Sequence, residues 1–436
     1  MHIPRRSRGA SPSARSSGSR RAVGSLAVLA TAAGLLTACG GGGGKPNLIW
    51  YINPDSGGQD AIAQKCSNDQ YTITTQVLPQ DASQQRVQLA RRLAAHDSGI
   101  DLMSLDPPFT AEVSNAGFLA PISQDEQAKL KAQSFKGATE AATWKGQLVA
   151  FPFWSNTQVL WYRKSFTDKT GIDMNQPVTW DQIITDAADN GGTVAVQANK
   201  YEGYSVWINA LISGAGGQIV SDAEKGVNAT IDVNSKAGDD AAAVIEKLAH
   251  SSAAPPDLSV SNEGTAGSTF GAPNGAFMVN WTYIYHNYDS TQPDVAKDIG
   301  YARYPETVQG MPSRPPYGGI GIGVSKYSSH VDDALQAAAC LVTPDMQGIN
   351  AQLTGNMPAS PAGYQYPPLQ KLYPPELLSL FQESVNAAAP RSVTPYWSDI
   401  SGSLLATWHP PASVNQNTPQ KSADFMQQVL EGKALL

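Results

Sequence analysis

Chemistry-bearing motifs are scarce in this chain of 436 residues. It has three cysteines, six histidines and neither a CxxC pair nor an HExxH motif, so no redox dithiol or helix-borne zinc site is indicated, and no metal is expected. A GxSxG elbow and a P-loop are also missing, and Gly319-Ile-Gly-Ile-Gly323 stops short of the dinucleotide fingerprint. Beyond Arg21 there is no run of more than two Lys or Arg. Residues 1–38 hold six arginines and no acid, which leaves 24 basic against 37 acidic residues after them, a net charge of −13. A body of that sign argues against nucleic acid as the main partner. What is present is ordinary for a globular protein: 41% hydrophobic residues exclude a largely disordered chain. The length allows about two to four folded units.

The basic segment ending at Arg21 runs into the apolar stretch Ala22–Leu36 and then into Leu36-Thr37-Ala38-Cys39-Gly40, the layout of a secretory signal. Its helix would rise only about 22 Å, short of a hydrocarbon core of about 30 Å. A cysteine directly after small residues at the cleavage point resembles the lipobox of bacterial lipoproteins. That implies lipidation of Cys39 and anchoring on the extracytoplasmic face of the membrane, with a signal peptide over 1–38 and a glycine tether over 39–45. Arg20-Arg21 leaves open export by the general or the twin-arginine route. Cys66 and Cys340 then remain in an oxidising compartment, as a disulfide or as two separate buried thiols.

Along the body, strands and helices alternate. Asn47–Ile52 is a short apolar run ended by Asn53-Pro54-Asp55-Ser56-Gly57-Gly58 and reads as a strand entering a loop. A helix is expected through Cys66, a strand over Tyr71–Leu78, and a helix over Ser83–His96 with Val87, Leu89, Ala90, Leu93 and Ala94 turned inward. A third strand, Ile100–Leu105, breaks at Asp106-Pro107-Pro108. Such repeated units point to a parallel α/β sheet with ligands at the carboxyl ends of its strands, which puts Asn53–Gly58 and Asp106–Phe109 on one rim. Leu148–Pro152 and Asn156–Arg163 read as a strand returning across a rim, Thr179 as a helix N-cap, and Tyr204–Ile212 as a helix stopped by Gly214-Ala-Gly-Gly217.

This succession, followed by Gly275–Trp281, Tyr317–Val324 and Cys340 to Ala359, resembles the extracellular solute-binding proteins of bacterial ABC sugar importers, the group of the maltose-binding protein. The resemblance covers residues 46–436. Within it, Gln85-Arg86, Leu105-Asp106 with Thr110-Ala-Glu-Val, Asn156-Thr-Gln with Leu160-Trp-Tyr-Arg, Gln197-Ala-Asn, Glu263-Gly, Val279-Asn-Trp281 and Pro390-Arg391 are similar to the trehalose-binding lipoproteins of mycobacteria. The resemblance implies an α/β, two-lobed periplasmic-binding-protein fold with hinge strands and an interlobe ligand cleft. Residues 46–152 and 321–355 would form the first lobe, 153–320 and 356–436 the second. Cys66 and Cys340 would then share the first lobe. The partners implied are a disaccharide, the permease subunits of a transporter and, through the lipid, the membrane; the protein would act as a monomer, without cofactor.

A sugar site needs groups that satisfy hydroxyls, each both donor and acceptor, and flat apolar faces for the C–H surfaces of the ring. A carboxylate only accepts and a guanidinium only donates, so together they read both roles. The resemblance makes Asp106, Asn156, Glu263, Arg391 and Gln85 ligand groups; Gln85 alone would read as an exposed helix residue opposite the apolar stripe. Asn53 and Asp55 are placed by the strand-end rule. Gly318 and Gly319 permit close backbone approach, and Trp281 is the favoured stacking platform. Trp154, Trp207, Tyr201, Phe109 and Tyr283 are assigned to core or rim, Trp161 and Tyr162 to the core. The expected function is capture of an α-linked glucose disaccharide, foremost trehalose, with maltose, another α-glucoside or a monosaccharide as alternatives. A secreted glycoside hydrolase using two carboxylates across the cleft and a structural lipoprotein without ligand are the readings from other classes.

Overall fold

The computed structural model describes residues 44–436, so the signal segment and Cys39 lie outside the described residues. Residues 45–436 form one compact unit. Strand β1 (Asn47–Ile52) buries Leu48, Trp50 and Ile52 on alternate positions, the period of two expected of a strand. It lies between β2 (Thr72–Val77) and β3 (Leu102–Leu105), parallel to both, with helix α1 (Gly58–Cys66) and helix α2 (Ala82–Ala94) as the connections. Beyond β3 the sheet turns mixed. Tyr317–Val324 joins β3 antiparallel, then come Phe151–Arg163, Gly275–Trp281 and Thr193–Ala195, while Ile299–Ala302 also pairs with Phe151–Arg163. The parallel sheet read from the sequence is therefore confined to β1–β3 and the pair Gly275–Trp281 with Thr193–Ala195. The central strands instead run against their neighbours, because the chain crosses the molecule on one strand and returns on another.

The crossing strand is Phe151–Arg163, continuous over 13 residues where two pieces were expected. Its first half pairs with Tyr317–Val324 and its second with Gly275–Trp281. The first pairing shifts register between Ile320 and Gly321, leaving Phe153 as an extra residue that bends the strand. A third segment runs alongside, where Ser155 N donates to Met357 O at 2.9 Å. At Gly319, φ is +132° and a Cβ would stand 2.2 Å from Trp154 O, so only glycine lets the two crossing strands approach here.

Apolar side chains gather into several cores, one of which takes in Val159 and Trp161 of the crossing strand itself. Another is built around β1, α1, Phe151, Phe153 and the helix Val331–Leu341, with a satellite at Leu89, Leu93 and Met103. The largest holds Trp180, Trp207, Trp397 and Trp408 under the helix Glu202–Gly214. Thr179 caps its helix in a reciprocal capping box with Gln182. Cys66 at the end of α1 is bonded to Cys340 on Val331–Leu341, inside the first core. No helix of the described residues is long and apolar enough to cross a membrane.

Candidate functional site

Pro107 and Pro108 do not simply break the chain after β3; they open helix α3 (Pro107–Asn115), where missing N–H groups cost nothing. Asp106 stands at the N-cap position of α3 without capping it, and its carboxylate turns elsewhere. Its Oδ1 accepts from Arg391 Nη2 at 2.8 Å, across 285 residues of sequence. The other edge of the guanidinium donates from Nη1 to Glu202 Oε1 at 2.8 Å. The Arg391 and Glu202 side chains are 4% and 5% exposed, whereas Asp106 keeps 20%. Burial pushes the Asp106 carboxyl up to about 6, against the opposing pull of Arg391, and the negative charge of Glu202 adds to the rise. Burial works against the charge of Arg391, but its two carboxylates hold the proton on and raise its pKa. Phe109, in the first turn of α3, packs in the core that holds Trp180 and Trp207, so this junction is apolar as well as ionic.

A second acidic group neighbours Tyr201, the residue before Glu202. Glu263 opens the helix Glu263–Gly271 and is raised by burial, while its own backbone N–H and the neighbouring Tyr201 and Trp281 oppose the rise and the charge of Asp81 adds to it. Tyr201 is raised well above its ordinary value by burial and by Glu263, and its hydroxyl also donates to Gln197 Oε1 at 3.2 Å. Gln197 Nε2 donates to Asn280 Oδ1 at 3.3 Å, and Asn280 Nδ2 to Glu263 O at 3.0 Å, so the Gln197-Ala-Asn segment holds the second acid from behind. The half-buried indole of Trp281 lies over Gly318, where a Cβ would meet the ring at 2.6 Å.

Four expected site residues are thus drawn into contact in pairs, Asp106 with Arg391 and Gly318 with Trp281; Glu263 adjoins the second pair. Asn156 pairs with Gly318 in the sheet, but its side chain serves the crossing: Nδ2 donates to Asn356 Oδ1 at 2.9 Å, and Oδ1 accepts from Met357 N at 3.2 Å and Thr282 Oγ1 at 3.3 Å. Gly319 serves the strand approach described above. Asp55 accepts from Gly57 N and Gln59 N, both at 2.9 Å, and so closes the turn into α1. Asn53 binds Gln59 Nε2 through its carbonyl at 2.9 Å, while its Oδ1 is buried with no partner among the described residues. Gln85 is not exposed. It shares the buried stripe of α2 with Leu89 and Leu93, four and eight residues on, because Pro79 O accepts its amide at 2.7 Å; Val87 and Ala90 stay half-buried in its place.

Glu202, Trp397 and Ser401 were missed by sequence reasoning. A lone acid beginning the otherwise apolar run Glu202–Gly214 was a usable signal, since a helix buried at 12 of its positions cannot expose it. Among the described residues, no group of three His, Cys, Asp or Glu could hold a metal. A surface depression of about 550 Å³ on the outer face of α2 contains none of the expected site residues.

Two α/β lobes joined by crossing strands are the architecture of a two-lobed periplasmic-binding-protein fold. A family model described as bacterial extracellular solute-binding protein matches residues 56–348, and the chain belongs to that family. The chain is 27% identical over 352 residues, 77% of this chain and 80% of the relative, to a probable ABC transporter-binding protein of Deinococcus radiodurans. Its fold is similar to that of the maltose-bound MalE3 protein of T. maritima, with a TM-score of 0.77 at 20% identity, 89% of this chain and all of the other being covered. The acarbose-binding GacH receptor of Streptomyces glaucescens superposes with a TM-score of 0.75 at 18% identity and the same coverage.

Proposed function

We propose that the protein is a non-catalytic receptor that captures an uncharged sugar between its lobes and presents it to the permease of an ABC importer. The observation that carries this reading is the pair Asp106–Arg391, a carboxylate and a guanidinium brought together at 2.8 Å across 285 residues of sequence. Acceptor and donor edges set side by side suit vicinal hydroxyls, and a half-buried indole held against a glycine backbone suits the apolar face of a pyranose. Residues 46–152 and 321–355 form the first lobe in this reading and the remainder of the body the second. Asn53, Gln85, Asp106, Asn156, Glu263, Trp281, Gly318, Gly319 and Arg391 are its candidate lining, with Asp55 shaping the rim. An α-linked glucose disaccharide is the proposed ligand and trehalose the first choice, on the segment resemblance to mycobacterial trehalose-binding lipoproteins. Maltose or another α-glucoside comes next, in keeping with the maltose and acarbose bound by the two structural neighbours. Lipidation at Cys39 would hold the monomeric receptor on the outer face of the membrane.

The test is a thermal-shift screen against trehalose, maltose, sucrose and glucose. A ligand at 100 times its Kd stabilises the native state by about 2.7 kcal/mol, a rise of a few degrees for a chain of this size. A shift with trehalose alone is the expected result; a shift with another sugar reassigns the solute. No shift with any carbohydrate, from folded protein, would sink the sugar reading. Release of glucose from a disaccharide would replace the receptor by a hydrolase.

A further inference from the structure

Arg391 has two carboxylate partners of opposite character. Asp106, on the first lobe in that reading, is part-exposed and has no partner beyond Arg391 for its side chain among the described residues. Glu202 is nearly sealed and held by three donors: Arg391 Nη1 at 2.8 Å and Trp397 Nε1 at 2.7 Å on Oε1, and Ser401 Oγ at 2.6 Å on Oε2. Ser401 is held in turn by Ser205 at 2.8 Å. Glu202, Trp397, Ser401 and Arg391 all belong to the second lobe, so opening the lobes separates Arg391 from Asp106 and leaves it with Glu202.

We infer that Glu202 is a positioning residue for solute recognition: it fixes one edge of the Arg391 guanidinium within the second lobe so that the opposite edge always faces the cleft. The inference rests on the receptor reading above. It follows from the count of donors and acceptors: a guanidinium with one edge tied to a rigid, fully partnered carboxylate loses little further freedom when its other edge binds. Two acids around one cation also leave the triad one negative charge in excess, and that charge falls on the more exposed acid, Asp106. The charged groups on the packed helices are Glu112 of α3, paired with Arg86 of α2 at 2.5 and 2.6 Å, and Asp399 on Trp397–Trp408.

Calorimetric titration of trehalose between pH 4.5 and 8 tests this in wild type and Glu202→Gln. The amide is isosteric and can still accept from Trp397 or Ser401, so the fold is expected to survive. The variant is expected to bind about tenfold more weakly at pH 7, the scale of one charge-assisted hydrogen bond. Its acid-side midpoint should fall, because a negative neighbour of Asp106 is gone. Wild-type affinity, or weaker binding with an unmoved midpoint, would overturn the inference, the latter being what loose packing alone produces. If Glu202→Gln does not fold, Ser401→Ala keeps the charge and frees Oε2; binding severalfold weaker with an unmoved midpoint supports the inference, and unchanged binding overturns it. If wild type binds no sugar, the receptor reading fails separately. The carboxyl carbon of Asp106, followed by NMR in both proteins, then decides: a lower midpoint in Glu202→Gln supports the coupling and an equal one overturns it.

Discussion

The acidic groups at Asp106 and Glu263 are built on different terms. Asp106 faces a full positive charge, and a second acid behind that charge overbalances it. Glu263 has neutral donors for neighbours, its own backbone N–H, Tyr201 and Trp281, and a like charge at Asp81. Both carboxyls are raised by burial, yet for Asp106 the balance depends on one side chain, Arg391, and for Glu263 it is spread over several small contributions. A site with one keystone charge should fail abruptly when that charge is removed; a distributed one should fail by degrees.

The largest effect is expected from Arg391→Leu. Removing the cation leaves Asp106 and the sealed Glu202 as uncompensated neighbours, at a cost of about 3–5 kcal/mol of folding stability with loss of solute binding. Urea denaturation at pH 7 measures it, and a loss under 1 kcal/mol would mean that the triad is solvated. On the other side, Trp281→Ala should cost about 1–3 kcal/mol of binding energy, tenfold or more in affinity, with the fold intact. Gly318→Ala should reproduce part of that loss, since its Cβ would displace the indole; unaltered affinity in both variants would remove the ring from the site.

Smaller effects separate the two acids by pH. A carboxyl whose folded midpoint is about 6, above an unfolded value of about 3.9, binds its proton preferentially in the folded state. Its contribution favours folding below about pH 4 and is lost as the pH rises through 6. Asp106→Asn removes that slope, so the variant should gain stability relative to wild type between pH 4 and 6 and run level above. A constant difference across that window would refute the raised midpoint. Smallest of all is Asp81→Asn. Asp81 caps α2 by accepting from Gln84 N at 2.9 Å, and asparagine caps as well, so unfolding should be unchanged within about 0.5 kcal/mol. The Glu263 carboxyl midpoint, followed by NMR, should move down slightly. A rise there would place Asp81 in a different role.

The amino-terminal strands were largely legible because they are short apolar runs closed by Asn, Pro, Asp and Gly, and β1, β2 and β3 fall within two residues of the expected spans. The direction of Tyr317–Val324 was not, since a glycine-rich strand carries no mark of whether its partner lies parallel or antiparallel. Gln85 was misplaced because a helical stripe is read from apolar residues, and an amide that finds a backbone carbonyl passes unseen. Asp106 and Arg391 emerged through resemblance; their mutual contact spans too much sequence for any local pattern. Glu202 could have been found by asking why an apolar helix begins with an acid. Asn156 shows the opposite limit: its type suits a ligand group, but the hydrogen bonds it makes tie three crossing segments together.

The bond between Cys66 and Cys340 makes residues 66–340 a closed covalent ring. The ring encloses both central crossing strands and the residues Glu202, Glu263 and Trp281, while the amino-terminal arm and the segment carrying Arg391, between the helices Pro375–Ala387 and Trp397–Trp408, lie outside it. A single nick anywhere inside the ring therefore releases no fragment until the disulfide is reduced, whereas a nick beyond Cys340 frees the Arg391 segment at once. Covalently, the part most exposed to loss by one proteolytic cut is therefore the segment that supplies the keystone charge.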